Sequence, residues 1–232
     1  MRPINWTEGD VYAIYLRLSG DNPSVRIDWG DGTVKTYYGD TINEHHIYPK
    51  DESLSFIVTA TVLSGSIDYV RPTGGDCDYE LIDFTNAPSI REIEAQRCQT
   101  VILDNPNLEK LSLTINLADS YDLSRCPNLR DLVFQCAYDC RSLDLSGCHK
   151  LETFSSQSYM GPKLRKITIA NDAPLKYIEL DGHNLHPSCL EAIHRVIERN
   201  GGEIVGEFEN EEDEEELSLI HISEPTRRRG IS

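Results

Sequence analysis

Pairs of apolar residues separated by a single residue recur along the second half of the chain. Most successive pairs are 10 or 11 residues apart, and the slot near Phe154 is only half filled. Alternation with a period of two predicts a short β-strand at each pair, with the apolar side chains on its buried side. The pairs are Ile93/Ala95, Val101/Leu103, Leu111/Leu113, Tyr121/Leu123, Leu132/Phe134, Leu143/Leu145, Ile167/Ile169 and Ile178/Leu180.

Two of these units together make a longer repeat. Residues 122–129 and 144–151 match at Asp, Leu, Ser, Cys and Leu with an offset of 22 residues. Two strands per repeat predict a coil with one short strand on each side, in which stacked turns form continuous ladders of apolar side chains. A helical repeat has a similar spacing, but prolines recur before the strand positions and would break such helices. These prolines are Pro106, Pro127, Pro162 and Pro174.

The fuller pattern is L-x-x-L-x-L-x-x-N/C. It is present as Leu108, Leu111, Leu113 and Asn116, as Ile90, Ile93, Ala95 and Cys98, and as Cys140, Leu143, Leu145 and Cys148. Over residues 81–186 this pattern resembles the short leucine-rich repeats of internalin-like and Bacteroidetes surface proteins. The resemblance implies a solenoid whose core contains Leu108, Leu111, Leu113, Leu129, Leu132, Leu143 and Leu145.

The N-terminal part has a different pattern. Residues 11–18, 24–29 and 55–62 are rich in β-branched and aromatic residues and are separated by Gly, Asp, Asn and Pro. They predict a small antiparallel sheet or sandwich. Asp31 and Gly32 form a strong hairpin-turn signal between two of these strands.

A motif in this region is more specific. Trp29, Gly30, Asp31 and Gly32 are followed by His46 and Tyr48 just before a strand. This arrangement resembles the PKD-like immunoglobulin-type β-sandwich over residues 9–72, and it implies structural roles for all six residues. Calcium binding by Asp28 and Asp31 is disfavoured because their spacing does not match the alternating oxygen ligands of an EF-hand loop.

An amphipathic segment follows the repeats. Leu190, Ile193 and Ile197 recur at helical spacing, and the run ends at Asn200-Gly201-Gly202. It predicts a helix that caps the solenoid. Three nearby histidines are expected to be ordinary solvated residues: His183, His186 and His194.

The C-terminal segments are unlike a folded domain. Residues 207–216 are a block of acids, predicted to be disordered and solvated. Residues 217–227 read LSLIHISEPTR and resemble the translation of a sequencing-library adapter, so residues 217–232 are interpreted as an artefact. The predicted organisation is therefore a β-sandwich over 1–78, a solenoid over 79–186 and a capping helix with the end of the fold over 187–206. The fold class is mainly β.

Charge and cysteine content narrow the function classes. The formal net charge of −17 argues against binding to nucleic acid, and no apolar run is long enough to span a membrane. Several of the seven cysteines fall at ladder positions and are predicted to be buried, reduced thiols rather than metal ligands. These are Cys98, Cys126, Cys136 and Cys148. No cofactor, metal or catalytic motif is predicted.

The resemblances to PKD-like sandwiches and to short bacterial leucine-rich repeats imply a non-enzymatic binding or adhesion module of a bacterial surface or secreted protein. It would recognise a protein or a glycan through the repeat surface, with Tyr138, Tyr159 and Tyr177 as candidate ligand contacts. The chain lacks a signal peptide, so an intracellular scaffold for protein–protein interaction is the alternative. A thiol-dependent enzyme that pairs Cys136 with His149 is a third hypothesis.

Overall fold

A computed structural model describes residues 2–3, 11–48, 56–74, 79–114, 118, 120–135, 140–157, 164–206 and 209–210. The fold is mainly β with one described helix, as predicted. The strands are β1 Arg2–Pro3, β2 Val11–Asp28, β3 Val34–Tyr38, β4 Thr41–Ile47, β5 Thr59–Gly74, β6 Tyr79–Asp83, β7 Glu92–Gln96, β8 Cys98–Ile102, β9 Lys110–Thr114, β10 Ser120–Asp122, β11 Asp131–Gln135, β12 Ser142–Leu145, β13 Thr153–Gln157, β14 Lys166–Ile169, β15 Tyr177–Asp181, β16 Asn184–Leu185, β17 Glu203–Val205 and β18 Glu209–Asn210. Helix α1 spans Pro187–Asn200.

One mixed sheet runs through most of the molecule. Its order is β17-β15-β13-β11-β9-β7-β5-β2-β3, and β4 also pairs with β2. Strands β2 to β5 pair antiparallel, whereas every pair from β5–β7 onward is parallel. The two kinds of pairing meet where Tyr69 lies opposite Glu92 and Val70 opposite Ile93.

The N-terminal strands therefore belong to the same sheet as the repeats. The boundary predicted at residue 78 is crossed by this sheet, which contains β2, β3, β4 and β5. The two strands predicted at 11–18 and 24–29 are one strand, β2, with 18 residues, and β5 has 16 residues and extends well beyond the predicted end at residue 62. Both bend at irregularities in their mutual register.

Alternate strands of the repeat region lie in different sheets. β7, β9, β11, β13 and β15 pair in the large sheet, whereas β10, β12 and β14 form a second parallel sheet. Leu111, Leu132, Phe154 and Ile178 occupy equivalent positions on four consecutive strands of the large sheet. The spacing of 10 or 11 residues thus corresponds to crossing from one sheet to the other.

The core lies between these sheets. Leu132 is 1% exposed and Phe134 is fully buried. The ring of Phe134 meets Tyr121 of the other sheet edge-on at 5.4 Å between centroids. Buried residues on both sides belong to one continuous cluster, which includes Leu108, Leu111, Leu113, Leu129, Leu143 and Leu145.

Helix α1 packs against β14 and β17. Its buried residues are Leu190, Ile193, Val196 and Ile197. The His186 side chain accepts a hydrogen bond from the Ser188 backbone N–H at the first turn, and Gly201 ends the helix with a φ of 64°. The left-handed conformation at this position favours glycine.

The segment expected to be disordered over 207–216 contains strand β18. Asn184 lies opposite Glu209 and Leu185 opposite Asn210 in a parallel pair. Local charge repulsion therefore does not prevent pairing at these two residues. The rest of that segment, and residues 217–232, lie outside the described residues.

We expect the Leu132→Ala substitution to lower the free energy of unfolding by about 2–5 kcal/mol, because it empties a packed position between the two sheets. Val133→Ala is the matched control, since the adjacent side chain points to the other face of the same strand and is only half-buried. Urea denaturation followed by circular dichroism measures both. Equal losses for the two variants would contradict the assigned facing of β11.

Candidate functional site

The solvent side of the parallel strands is an ordered, mainly polar surface. Burial alternates along each strand, so every second residue points away from the core. We call the outward residues of β7, β9, β11, β13 and β15 the outer face. They are Glu92, Glu94, Gln96, Lys110, Ser112, Thr114, Asp131, Val133, Gln135, Thr153, Ser155, Gln157, Tyr177, Glu179 and Asp181.

These side chains lie in rows across the sheet. The central row contains Glu94, Ser112, Val133, Ser155 and Glu179, which the strand register places opposite one another. Neighbouring strands in a sheet are about 4.8 Å apart. The outer face therefore presents chemical groups at a regular spacing along a direction perpendicular to the strands.

Several outer-face groups hold one another in place. The Glu179 carboxylate accepts hydrogen bonds from Ser155 Oγ at 2.5 Å and from Gln157 Nε2 at 2.7 Å. Thr153 Oγ1 donates to Asp131 Oδ1 at 2.8 Å. Such contacts reduce the side-chain freedom that a ligand would otherwise have to restrict on binding.

The outer face is acidic. It carries five carboxylates, at Glu92, Glu94, Asp131, Glu179 and Asp181, against the single Lys110. Its formal charge is therefore 1 − 5 = −4. This charge disfavours anionic ligands and leaves neutral or basic ligands as candidates.

An aromatic and cationic cluster adjoins the outer face on β2 and β5. The rings of Tyr15 and Tyr69 meet edge-to-face, with centroids 5.5 Å apart. The Arg17 guanidinium lies 5.0 Å from the Tyr69 centroid, and that of Arg71 lies 5.4 Å from the Tyr15 centroid. These distances are within the range of cation–π attraction.

Two ion pairs connect this cluster to β7. Arg17 contacts Glu92 at 2.9 Å, and Arg71 contacts Glu94 at 3.6 Å. Burial raises the pKa of Tyr69 to about 12, and its hydrogen bond to Glu94 acts in the same direction. The cluster therefore joins the antiparallel and parallel parts of the sheet through side chains as well as backbone.

Of the three tyrosines predicted as ligand contacts, the structure describes Tyr177. Tyr177 lies half-buried on the outer face, opposite Thr153 and Glu203. Tyr138 and Tyr159 lie outside the described residues. The sequence analysis did not identify Tyr15 as a candidate contact residue. Tyr15 lies between the buried Ile14 and Leu16, and this alternation could have predicted that its side chain points away from the core.

The residues of the Trp-Gly-Asp-Gly and His-x-Tyr motifs come together at the other end of the sheet. The His46 ring stacks on Trp29 at 5.0 Å between centroids and meets Tyr48 edge-on at 4.6 Å. His46 Nε2 contacts Asp31 Oδ2 at 2.7 Å, and Tyr48 donates its hydroxyl to the Trp29 carbonyl at 2.6 Å. Trp29 is 2% exposed, so this cluster stabilises the fold.

The turn between β2 and β3 depends on its acids and glycines. Asp28 Oδ1 accepts from the Gly30 N–H, and Asp31 Oδ1 accepts from the Thr33 N–H, both at 2.9 Å. Gly30 has a φ of +85°, and a Cβ there would lie 2.7 Å from the Ile57 carbonyl oxygen. Both carboxylates thus have structural partners within the turn.

The electrostatics of Asp31 follow from these contacts. Burial raises the pKa of Asp31, but hydrogen bonds from the Thr33 backbone and the His46 ring outweigh this effect, so the net pKa is lowered. The carboxylate is therefore ionised at neutral pH. Because an ionised carboxylate only accepts, His46 Nε2 carries the proton in this contact.

The ladder cysteines are hydrogen-bonded thiols. Cys98, Cys126, Cys140 and Cys148 are buried, and Cys148 Sγ donates to the Leu123 carbonyl at 3.3 Å. Burial raises the pKa of Cys126 to about 11 and that of Cys148 to about 12. Thiols with raised pKa values form little nucleophilic thiolate. Cys136 lies outside the described residues.

A buried serine–histidine pair occupies the half-filled repeat slot. Ser156 and His183 are both fully buried, and Ser156 Oγ lies 2.9 Å from His183 Nε2. The Leu164 N–H donates to His183 Nδ1 at 3.2 Å, which places the ring proton on Nε2. Ser156 therefore accepts from His183 and donates to the Phe134 carbonyl at 2.8 Å.

This polarity is opposite to that of a catalytic pair, in which the histidine must accept the serine proton. Instead, the two side chains provide hydrogen-bond partners for each other and for the backbone groups of Phe134 and Leu164 inside the core. The prediction that His183 is a solvated residue was wrong, because the side chain fills the space that Ser156 leaves in the ladder. His194 is exposed as predicted, and His186 is exposed at the start of α1.

A further histidine–carboxylate pair lies among the described residues. No group of three or more His, Cys, Asp or Glu side chains that could hold a metal ion occurs there. His149 Nδ1 lies 2.6 Å from Asp172 Oδ1, and this hydrogen bond lowers the pKa of Asp172.

Among the residues that the structure describes, no helix combines the length and apolarity required to cross a bilayer.

No protein-family model matches the chain, and comparisons with curated proteins and with solved structures likewise give no match.

We expect Asp31→Asn to reduce stability at neutral pH and to flatten the acid dependence of unfolding. A lowered folded-state pKa contributes stability above the unfolded value of about 3.9, and this contribution is lost as the pH falls through the folded-state pKa. Asparagine retains the turn preference of the position. Thermal unfolding between about pH 7 and about pH 3 tests this, with Asp21→Asn as the control. An identical acid profile for Asp31→Asn and the parent would contradict the assignment.

We expect iodoacetamide at about pH 8 to leave Cys126 and Cys148 unmodified in the folded protein and to modify both after denaturation. Cys189 on α1 is half-buried and provides the internal comparison. Peptide mass spectrometry measures each site. Rapid alkylation of Cys148 in the folded chain would show that this thiol is reactive and would favour the thiol-dependent enzyme.

Proposed function

We propose that this chain is a non-enzymatic binding module that recognises a protein or a glycan through the outer face. In this proposal the repeats are a leucine-rich-repeat solenoid, which continues from a PKD-like N-terminal β unit. The intact protein would act at a bacterial cell surface or after secretion.

The in-register rows of the outer face carry the proposal. The apolar side chains of β7 to β15 point into the core, so the outward positions are free of a packing role. Rigid strands then fix polar groups over five neighbouring strands. A preorganised surface of this kind loses little conformational freedom on binding.

The chemistry of the face supports a neutral or basic ligand. The face contains carboxylates, amides and hydroxyls, with the half-buried Tyr177 at one end and the half-buried Tyr15 beside the other. Hydroxyl-rich glycans and basic protein segments both match these groups. The described hydrogen-bonded pairs, Ser156–His183 and His149–Asp172, have structural explanations and do not favour an enzyme.

A second candidate is an intracellular scaffold with the same binding face. The free thiols of Cys126, Cys148 and Cys189 favour this alternative, because reducing compartments maintain thiols. The genomic sequence upstream of Met1 separates the two. A reading frame that continues into a secretion signal supports the surface protein, whereas a ribosome-binding site and a stop codon directly upstream support the scaffold.

Binding to a glycan microarray and to an array of cell-surface proteins tests the proposal. The test variant is Ser112→Arg with Val133→Arg, which places two bulky cations on adjacent strands at the centre of the outer face. The control is Thr168→Arg, at an outward, half-buried position of β14 in the other sheet. We expect the double variant to lose at least about tenfold in affinity and the control to retain binding.

Equal binding by the double variant and the parent would show that the ligand lies elsewhere. Absence of binding on both arrays would contradict the binding module itself. Unfolding temperatures of all three proteins identify any loss that is caused by misfolding.

A further inference from the structure

A cleft outside the outer face opens between the bend of β2 and the turn from β3 to β4. Its volume is about 490 Å³, within the roughly 300–1,000 Å³ of small-molecule sites. The lining residues are Leu18, Ser19, Gly20, Asn22, Pro23, Tyr38, Gly39 and Asp40. None of them belongs to the core ladder of the repeats.

A large bulge in β2 creates this cleft. Ser19 lies opposite Ser66 and Ser24 opposite Ser64, so residues 20–23 of β2 face the single residue Gly65 of β5. Gly65 has a φ of +79°, and a Cβ there would lie 2.2 Å from the Ser19 carbonyl oxygen. Bulges of this kind redirect side chains and occur frequently beside binding sites.

The opposite wall of the cleft is anchored to the same bulge. The Gly39 N–H donates to the Pro23 carbonyl at 2.9 Å, and the Leu18 N–H donates to the Asp40 carbonyl at 2.7 Å. The β3–β4 turn is therefore bonded to β2 on both sides of residues 20–22. Backbone hydrogen bonds therefore fix the two walls of the cleft relative to each other.

The side chains around the cleft are available to a ligand. Tyr38 is 78% exposed, and Asn22 and Asp40 are exposed. Within the described residues, no hydrogen bond or ion pair engages the side chains of Asn22, Tyr38 or Asp40. Asn22 also adopts a φ of 50°, a conformation that is uncommon for a residue other than glycine.

We propose that this cleft binds one ring of a neutral sugar. A pyranose ring has an apolar C–H face that stacks on an exposed aromatic ring and a hydroxyl edge that both donates and accepts hydrogen bonds. Tyr38 supplies the aromatic ring, and the Asp40 carboxylate accepts from a sugar hydroxyl. The Asn22 amide both donates and accepts, and the Ser19 hydroxyl, which is hydrogen-bonded to Ser66 Oγ at 2.9 Å, can still accept a further hydrogen bond. The carboxylates of Asp21 and Asp40 disfavour an anionic sugar.

This site is independent of the outer face. None of its lining residues is an outer-face residue, and it uses the antiparallel strands rather than the repeats. The two proposals can therefore succeed or fail separately.

Titration of the full chain, followed by ¹H–¹⁵N NMR, tests the cleft. The probes are the methyl glycosides of glucose, galactose and mannose at millimolar concentrations. We expect at least one of them to produce saturable shifts that centre on the amides of Gly20, Asn22, Gly39 and Asp40. Tyr38→Ala should weaken that binding about 2- to 10-fold, the range covered by stacking on one aromatic ring.

Val34→Ala is the matched control, because this side chain is 51% exposed on the same strand but does not line the cleft. The Ser112→Arg/Val133→Arg variant should bind the sugar as the parent does, which separates this site from the outer face. Absence of saturable shifts at these amides with all three glycosides would overturn the proposal. Unchanged affinity in Tyr38→Ala would overturn it as well.

Discussion

Parallel, in-register stacking of inward side chains is the constraint on which the rest of the structure depends. Each strand of the large sheet buries alternate side chains against the equivalent positions of its neighbours, as Leu111, Leu132, Phe154 and Ile178 do. A shift of register by one residue would turn every one of these side chains to solvent. The crossing from one sheet to the other and the burial of the thiols between the sheets both accompany this stack.

The same constraint produces the candidate binding surface. Because one face of each strand is committed to the core, the other face repeats with the same register and presents its polar groups in rows. The side chains that connect β2 and β5 to β7, notably Arg17 with Glu92 and Arg71 with Glu94, extend this ordered surface into the N-terminal strands. The sugar cleft arises where the regular pattern is interrupted, at the bulge of β2.

The apolar pairs at Leu132/Phe134 and Leu143/Leu145 were sufficient to predict strands and their buried sides, because alternation is a local property. The pairing of Tyr69 with Glu92 was not predictable in this way, since no local pattern records which distant strand lies alongside. The burial of His183 was not predicted, because a polar side chain in a loop was expected to lie in solvent. The repeat position at Ser156, which lacks the usual apolar residue, indicated that another side chain had to fill this part of the core. The Gly-Asp-Asn-Pro segment at residues 20–23 predicted a break between two strands, but the chain continues as the single strand β2 with a bulge there, because pairing with β5 resumes at Ser24.

Backbone NMR contacts between adjacent strands test the central claim most directly. A parallel ladder predicts nuclear Overhauser effects that connect the backbone of Leu111 to Leu132, Leu132 to Phe154 and Phe154 to Ile178 in the same relative register. Finding this series would support the stacked arrangement. Its absence, or an antiparallel pattern between β11 and β13, would contradict it.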